Sequence, residues 1–156
     1  IRDRSENGYT DAAYDLLCQN KFPSWLYAVE HGATTVWEHW DGLKEDGSFW
    51  SSDMNSYNHY AYGAVADWVY TVAAGIQTVE AAPGYKRIVI APIPDARLDW
   101  LKASVNTRRG LVSSEWRKEG DLWRYEITTP SETTVKVAGK EYLVSAGIHI
   151  FYSAVA

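Results

Sequence analysis

One cysteine, Cys18, in 156 residues rules out an intrachain disulfide. Its place on an apolar helical pattern makes it a core residue rather than a nucleophile. No apolar run approaches the ~20 residues of a membrane span, so no membrane partner is expected. A basic surplus is also missing: 15 Lys and Arg against 20 Asp and Glu leave a net charge of −5, which argues against a nucleic-acid partner. The basic clusters that do occur (Lys86-Arg87, Arg108-Arg109, Arg117-Lys118) read as strand-edge charges. Histidines are few. His31 and His39 lie close in sequence, but no Cys or third ligand stands at metal spacing, so no metal and no cofactor are expected.

Aromatic residues are abundant: 8 Trp and 11 Tyr exceed what a core of this size needs. Each offers a flat apolar face with a hydrogen-bonding edge, which suits amphipathic ligands such as sugars. Most must still be ordinary packing residues. They concentrate with polar groups between Gly32 and Gly63. Gly-Ala-Thr-Thr-Val-Trp-Glu-His-Trp-Asp occupies 32–41 and Asn-Ser-Tyr-Asn-His-Tyr-Ala-Tyr-Gly occupies 55–63. Burying so many polar and aromatic groups together demands a shaped cavity.

The chain changes character near residue 76. Before it the pattern is helical. Residues 1–9 read as a polar, exposed start. Thr10 is placed to cap a helix over 11–19, and Ser24 a second over 25–31 that stops at Gly32. Thr35-Val-Trp-Glu38 fits a capping box and predicts a third, short helix. Residues 41–56 form a loop rich in Gly, Asp and Ser, of a length that is usually functional or mobile. Asn58 to Ala74 is the longest helical run. It is apolar on nearly every side and rich in alanine, a pattern that belongs among other helices. Too few accompany it here, which predicts exposed faces and self-association.

After Gly75 the period becomes two. Strands are predicted over 87–91, 98–107, 111–118, 122–128, 133–138, 140–144 and 148–154, with turns at Arg109-Gly110, Glu119-Gly120-Asp121, Pro130-Ser-Glu and Gly139. Seven short strands at this spacing imply an antiparallel β-sandwich. The fold class is therefore α+β in two modules, 1–75 helical and 76–156 a sandwich.

Glu38 is the leading candidate for chemistry, because a carboxylate among Trp37, His39 and Trp40 suits general-base work. The competing reading is the capping box, in which Glu38 only satisfies backbone N–H groups. His59, at the mouth of the long helix, can donate to a ligand hydroxyl or simply complete the helix start. Asp41 and Asp53 read as turn formers. Cleaving a glycosidic bond takes two carboxyl groups, and one is nominated here.

Taken together, Gly-Ala-Thr-Thr-Val-Trp-Glu-His-Trp at 32–40 and Asn-His-Tyr-Ala-Tyr-Gly-Ala-Val at 58–65 resemble the end of the catalytic domain of bacterial α-L-rhamnosidases, glycoside hydrolase family 78. Pro23-Ser-Trp-Leu-Tyr27 and Ile90-Ala-Pro-Ile-Pro94 extend the resemblance over about residues 7–156. It implies the C-terminal part of an (α/α)6 barrel followed by a β-sandwich. It also implies an inverting hydrolase that removes terminal α-L-rhamnose from rhamnose-containing glycosides, with Glu38 as general base and His59 against the sugar. His39 stands where Arg is common in the family. The general acid is expected outside this chain, which would then be a C-terminal fragment, inactive alone. The alternative is a non-catalytic carbohydrate-binding or structural accessory module. In its binding form, Trp116, Trp123 and Tyr125 make a sugar platform instead of a core.

Overall fold

The computed structural model describes residues 8–155. Most of the polar start, residues 1–7, lies outside the described residues. The chain divides into two compact units, Ile1–Ala66 and Asp67–Ala156.

The first unit is built from short helices and long connections. Helix α1 spans Thr10–Cys18 and α2 spans Trp25–Glu30. Tyr9, not Thr10, occupies the cap position of α1, and no side chain caps that helix. In α2 the expected cap is present: Ser24 Oγ accepts from Tyr27 N at 3.0 Å. Ser24 is itself 1% exposed, so this bond is shielded from water. Cys18 is half-buried and free of any disulfide.

No helix forms at Thr35–Glu38, which corrects the capping-box expectation. The expected long helix is also different. It starts later, as a 3-10 turn over Ala61–Ala64, continues as α3 over Val65–Trp68, and ends as a π-helical turn over Val69–Ala73. Gly63, β-branched Val65, Val69, Thr71 and Val72, and an Asp67 carbonyl bonded by Thr71 Oγ1 at 2.7 Å all weaken a regular α-ladder here. The run does leave faces exposed, as its lack of companion helices predicted. Tyr60, Ala61, Tyr62, Ala64 and Ala66 are exposed, whereas Trp68 and Ala73 are buried.

The second unit is a sandwich of two four-stranded sheets. One has the order β1 (Ile76–Thr78), β2 (Ile88–Ile90), β6 (Thr133–Val137), β7 (Lys140–Val144). The other has the order β3 (Trp100–Thr107), β4 (Gly110–Glu119), β5 (Leu122–Thr129), β8 (Gly147–Ala154). All seven predicted strands are present within a residue or two. The eighth, β1, is three residues long and too short to show a period. The second sheet is antiparallel throughout, but β2 and β6 pair in parallel, so the first sheet is mixed.

Alternation decides which side chains face inward. In β5 the buried set is Trp123, Tyr125, Ile127 and Thr129; in β6 it is Thr133, Val135 and Val137. Leu101, Trp116, Tyr125 and Phe151 form one cross-strand row of the second sheet. Phe151 meets Tyr142 of the first sheet at 4.9 Å between ring centroids. Trp116 is fully buried, packs edge-on to Trp123 at 5.2 Å, and donates Nε1–H to the Ala73 carbonyl at 2.9 Å. Tyr125 bonds Ser153 Oγ at 3.0 Å, and burial pushes its phenol pKa up. Trp116, Trp123 and Tyr125 are therefore core, and the platform alternative at those three residues fails. Two turns show why sequence and backbone agree. Ala138-Gly139 both have positive φ, the geometry of a two-residue hairpin. Gly75 has φ +72°, and a Cβ there would lie 2.1 Å from the Ala91 carbonyl carbon.

Candidate functional site

The motif region of the first unit is held by bonds between segments far apart in sequence. Residues 35–38 and 56–59 run past each other in opposite directions. Glu38 N donates to Ser56 O at 2.9 Å, and His59 N donates to Val36 O at 2.8 Å. Thr35 Oγ1 donates to the Tyr57 carbonyl. These bonds take the place of the helix that the capping pattern predicted. They also bring the Glu38 and His59 segments together, which nothing in the local spacing of either motif required.

A second anchor sits just beyond. The Gly42 carbonyl accepts from Trp50 N at 3.1 Å, Asn55 Nδ2 at 2.9 Å and Tyr57 OH at 3.0 Å. Gly42 is buried, and an added Cβ would lie 3.1 Å from His39 O and 3.2 Å from Asn55 Oδ1. Trp37, 8% exposed, meets Tyr57 edge-on at 5.0 Å. The loop over 41–56 is thus folded back around one carbonyl, with Trp37 and Tyr57 locking its two ends. Within it, Asp46 accepts from Ser48 N and Oγ, and those bonds hold its carboxyl below the ordinary range. Asp53 is likewise taken up locally, by Ser51 and Ser52. Both behave as turn residues, as does the Asp46 turn closed by Gly47 N to Lys44 O.

Glu38 is half-buried. Its Oε2 accepts from Ser56 N at 3.1 Å, and no described residue bonds its other oxygen. A carboxylate fixed through one oxygen and open at the other can take a proton from a water placed there. His59 Nδ1 accepts from Ala61 N at 3.2 Å. A backbone N–H must donate, so Nδ1 carries the lone pair and Nε2 carries the hydrogen. The ring therefore completes the helix start and still presents a donor. The helix-start reading of His59 is thus met, and Nε2–H is left as a donor.

The same unit carries a cluster of aromatic rings. Trp40 stacks on Tyr62 at 4.9 Å, and Trp25 stands edge-on to both, 4.7 Å from Trp40 and 6.3 Å from Tyr62. The indole N–H groups of Trp25 and Trp40 are buried without a protein partner. Two unmet donors beside a stacked aromatic pair suit a polar ligand with apolar faces. His39 stacks on Trp50 at 4.0 Å, and His31 on Tyr27 at 4.0 Å with Nδ1 against Tyr27 O at 2.8 Å. No group of three metal-ligating side chains occurs among the described residues. Ser56, Tyr57 and the Gly42 carbonyl carry the geometry here, and sequence reading missed them. Their only sequence signal was position: Gly42 directly follows the first quoted stretch, and Ser56 and Tyr57 lie within the second.

Both parts of the chain match domains of known proteins. The model of the bacterial α-L-rhamnosidase six-hairpin glycosidase domain matches residues 2–73, and that of the bacterial α-L-rhamnosidase C-terminal domain matches residues 75–145. An α-L-rhamnosidase of Streptomyces avermitilis is 41% identical over 133 residues, 85% of this chain and 13% of the relative. One from Formosa agariphila is 42% identical over 132 residues, 85% of this chain and 14% of the relative. Among solved structures, native α-L-rhamnosidase from Aspergillus terreus superposes with a TM-score of 0.87 at 33% identity, covering 96% of this chain and 18% of that one. The Streptomyces avermitilis enzyme complexed with L-rhamnose gives 0.86 at 32% identity, covering 96% and 16%. The chain therefore spans about an eighth of the length of the curated relatives it matches, and across both matched domains it belongs to the bacterial α-L-rhamnosidase family.

Proposed function

We propose that this chain supplies the general-base side of a site that removes terminal α-L-rhamnose from rhamnosides with inversion. In this reading residues 1–75 are the end of an (α/α)6 catalytic domain and residues 76–156 its C-terminal sandwich. The observation that carries it is the posture of Glu38: one oxygen held by Ser56 N, the other open, inside a motif that the family model covers. The open oxygen takes a proton from water as that water attacks the anomeric carbon. The C–O bond to the leaving group breaks on the opposite face, and the leaving oxygen takes a proton from an acid. His59 Nε2–H donates to a rhamnose hydroxyl, and the Trp25, Trp40 and Tyr62 rings border the sugar.

Inversion sets the acid ~6.5–9.5 Å from the base, across the sugar. Asp46 and Asp53 are engaged in turns, and Glu30 accepts from Asn20 Nδ2 at 3.1 Å. As the family resemblance implies, this reading puts the acid outside these 156 residues, so the chain by itself leaves unactivated rhamnosides intact. An activated leaving group removes most of that need. The test is release of p-nitrophenol from p-nitrophenyl α-L-rhamnoside by the chain and by Glu38→Gln. Slow release, absent in Glu38→Gln, is expected; equal release by both would sink the assignment.

A further inference from the structure

The outer face of the second sheet carries an arrangement unrelated to the rhamnosidase motifs. Register across β3, β4, β5 and β8 puts Trp100, Arg117, Arg124 and Tyr152 in one row. The next row on the same face contains Lys102, Glu115, Glu126 and Ile150. Both ends of the first row are aromatic and open to solvent: Trp100 is 64% exposed and Tyr152 56%. Between them the charges are paired within the sheet. Glu115 receives Lys102 Nζ at 3.0 Å and the Arg117 guanidinium, and Arg124 Nη2 donates to Glu126 at 2.7 Å. Arg117, read from sequence as a strand-edge charge, is in fact in an inner strand of the sheet. The Arg117 bond holds the Glu115 carboxyl below its usual range, so the pair stays ionised at neutral pH. A depression of about 500 Å³ opens beside Trp100 and Arg117, within the size range of small-ligand sites.

We propose that this row is a second carbohydrate-binding surface, taking a short run of neutral sugar rings along the direction from Trp100 to Tyr152. Three strand spacings of ~4.8 Å separate the two aromatic positions, roughly 14 Å in all. An exposed indole or phenol ring offers its face to the C–H side of a sugar. The paired guanidinium and carboxylate groups still have spare donors and acceptors for its hydroxyls. Their mutual pairing leaves little net charge, which favours neutral sugars over anionic ones. Protein interfaces also favour Trp, Tyr and Arg, but they deplete Lys and Glu, which this face keeps as Lys102, Glu115 and Glu126. The rival occupant is nevertheless a second protein surface, since Ile148 and Ile150 extend the β8 side of the face with exposed apolar groups.

Affinity electrophoresis of the 156-residue chain separates these. Native gels are cast with xyloglucan, galactomannan or glucomannan, all neutral polymers. Retardation in at least one gel is expected. Trp100→Ala should return the mobility to that in a plain gel, Arg117→Lys and Tyr152→Ala should weaken the retardation several-fold, and Lys140→Ala, exposed on the other sheet, should leave it unchanged. Trp100 is largely in solvent, so its replacement does not threaten the fold; an unchanged melting curve checks this. Unaltered mobility in all three gels overturns the proposal. So does retardation that survives Trp100→Ala, or an oligomer in light scattering that Trp100→Ala dissolves without any retardation by sugar. Because this surface is read by gel retardation and the base by p-nitrophenol release, the two assignments fail independently.

Discussion

The two units of the chain solve the problem of order in different ways. The sandwich is held by a dry core, in which Trp68, Trp116, Ile90, Ile127 and Val135 are essentially without solvent contact. The motif region is held mostly by hydrogen bonds between loops, with Glu38 against Ser56, Val36 against His59, and three donors on the Gly42 carbonyl. Apolar burial is non-directional and tolerates small shifts. Hydrogen bonds fix atoms within tenths of an ångström but contribute little net stability each, about 1 kcal/mol. The first arrangement suits a support. The second suits a site whose carboxylate must point one way.

Mutations can test that contrast. The largest effect is expected from Trp116→Ala, which removes a fully buried indole and its bond to Ala73 O. Such a loss costs about 3–5 kcal/mol, and thermal unfolding followed by circular dichroism should show the sandwich melting far lower or not folding. Gly75→Ala comes next. Its Cβ would meet the Ala91 carbonyl carbon at 2.1 Å from a left-handed backbone, so more than about 1 kcal/mol is lost, measured as a shift of the denaturant midpoint. A mild effect there would mean that the close approach of Gly75 to Ala91 can open without cost. The smallest is Ser24→Ala, which deletes the shielded cap of α2. About 1 kcal/mol is expected, with faster amide exchange at Tyr27 and no change in the sandwich. If Ser24→Ala lowered the sandwich transition equally, the two units would not be separate in stability.

The same contrast explains what could be read in advance. Period-two alternation placed seven strands and their turns, because each strand buries one face and each tight turn needs particular residues. Ser24 and Gly32 marked α2 for equally local reasons. The capping box at Thr35–Glu38 misled because its partners lie about twenty residues away, and a local pattern says nothing of Ser56 or Tyr57. Thr10 lost the cap position to Tyr9 at the kind of boundary where one residue decides the assignment. Asn58–Ala74 looked like one helix because alanine and valine spacing suits all three helical forms; the register slips from 3-10 to π were not encoded in that spacing. Glu38 and His59 were named from their motifs, but how they are anchored emerged only from the tertiary bonds. Trp100 was visible as one member of an alternating strand. Its row with Arg117, Arg124 and Tyr152 depended on a strand order that no single strand reveals.

The most direct test of the central claim replaces the carboxylate of Glu38 with a small external nucleophile. Glu38→Gly is assayed on p-nitrophenyl α-L-rhamnoside with and without sodium azide. If Glu38 is the base of an inverting site, the variant alone is silent. Azide, which needs no deprotonation, then restores release and yields rhamnosyl azide of inverted, β configuration. Release by Glu38→Gly at the unmodified rate without azide, or an azide product of retained configuration, would contradict the account.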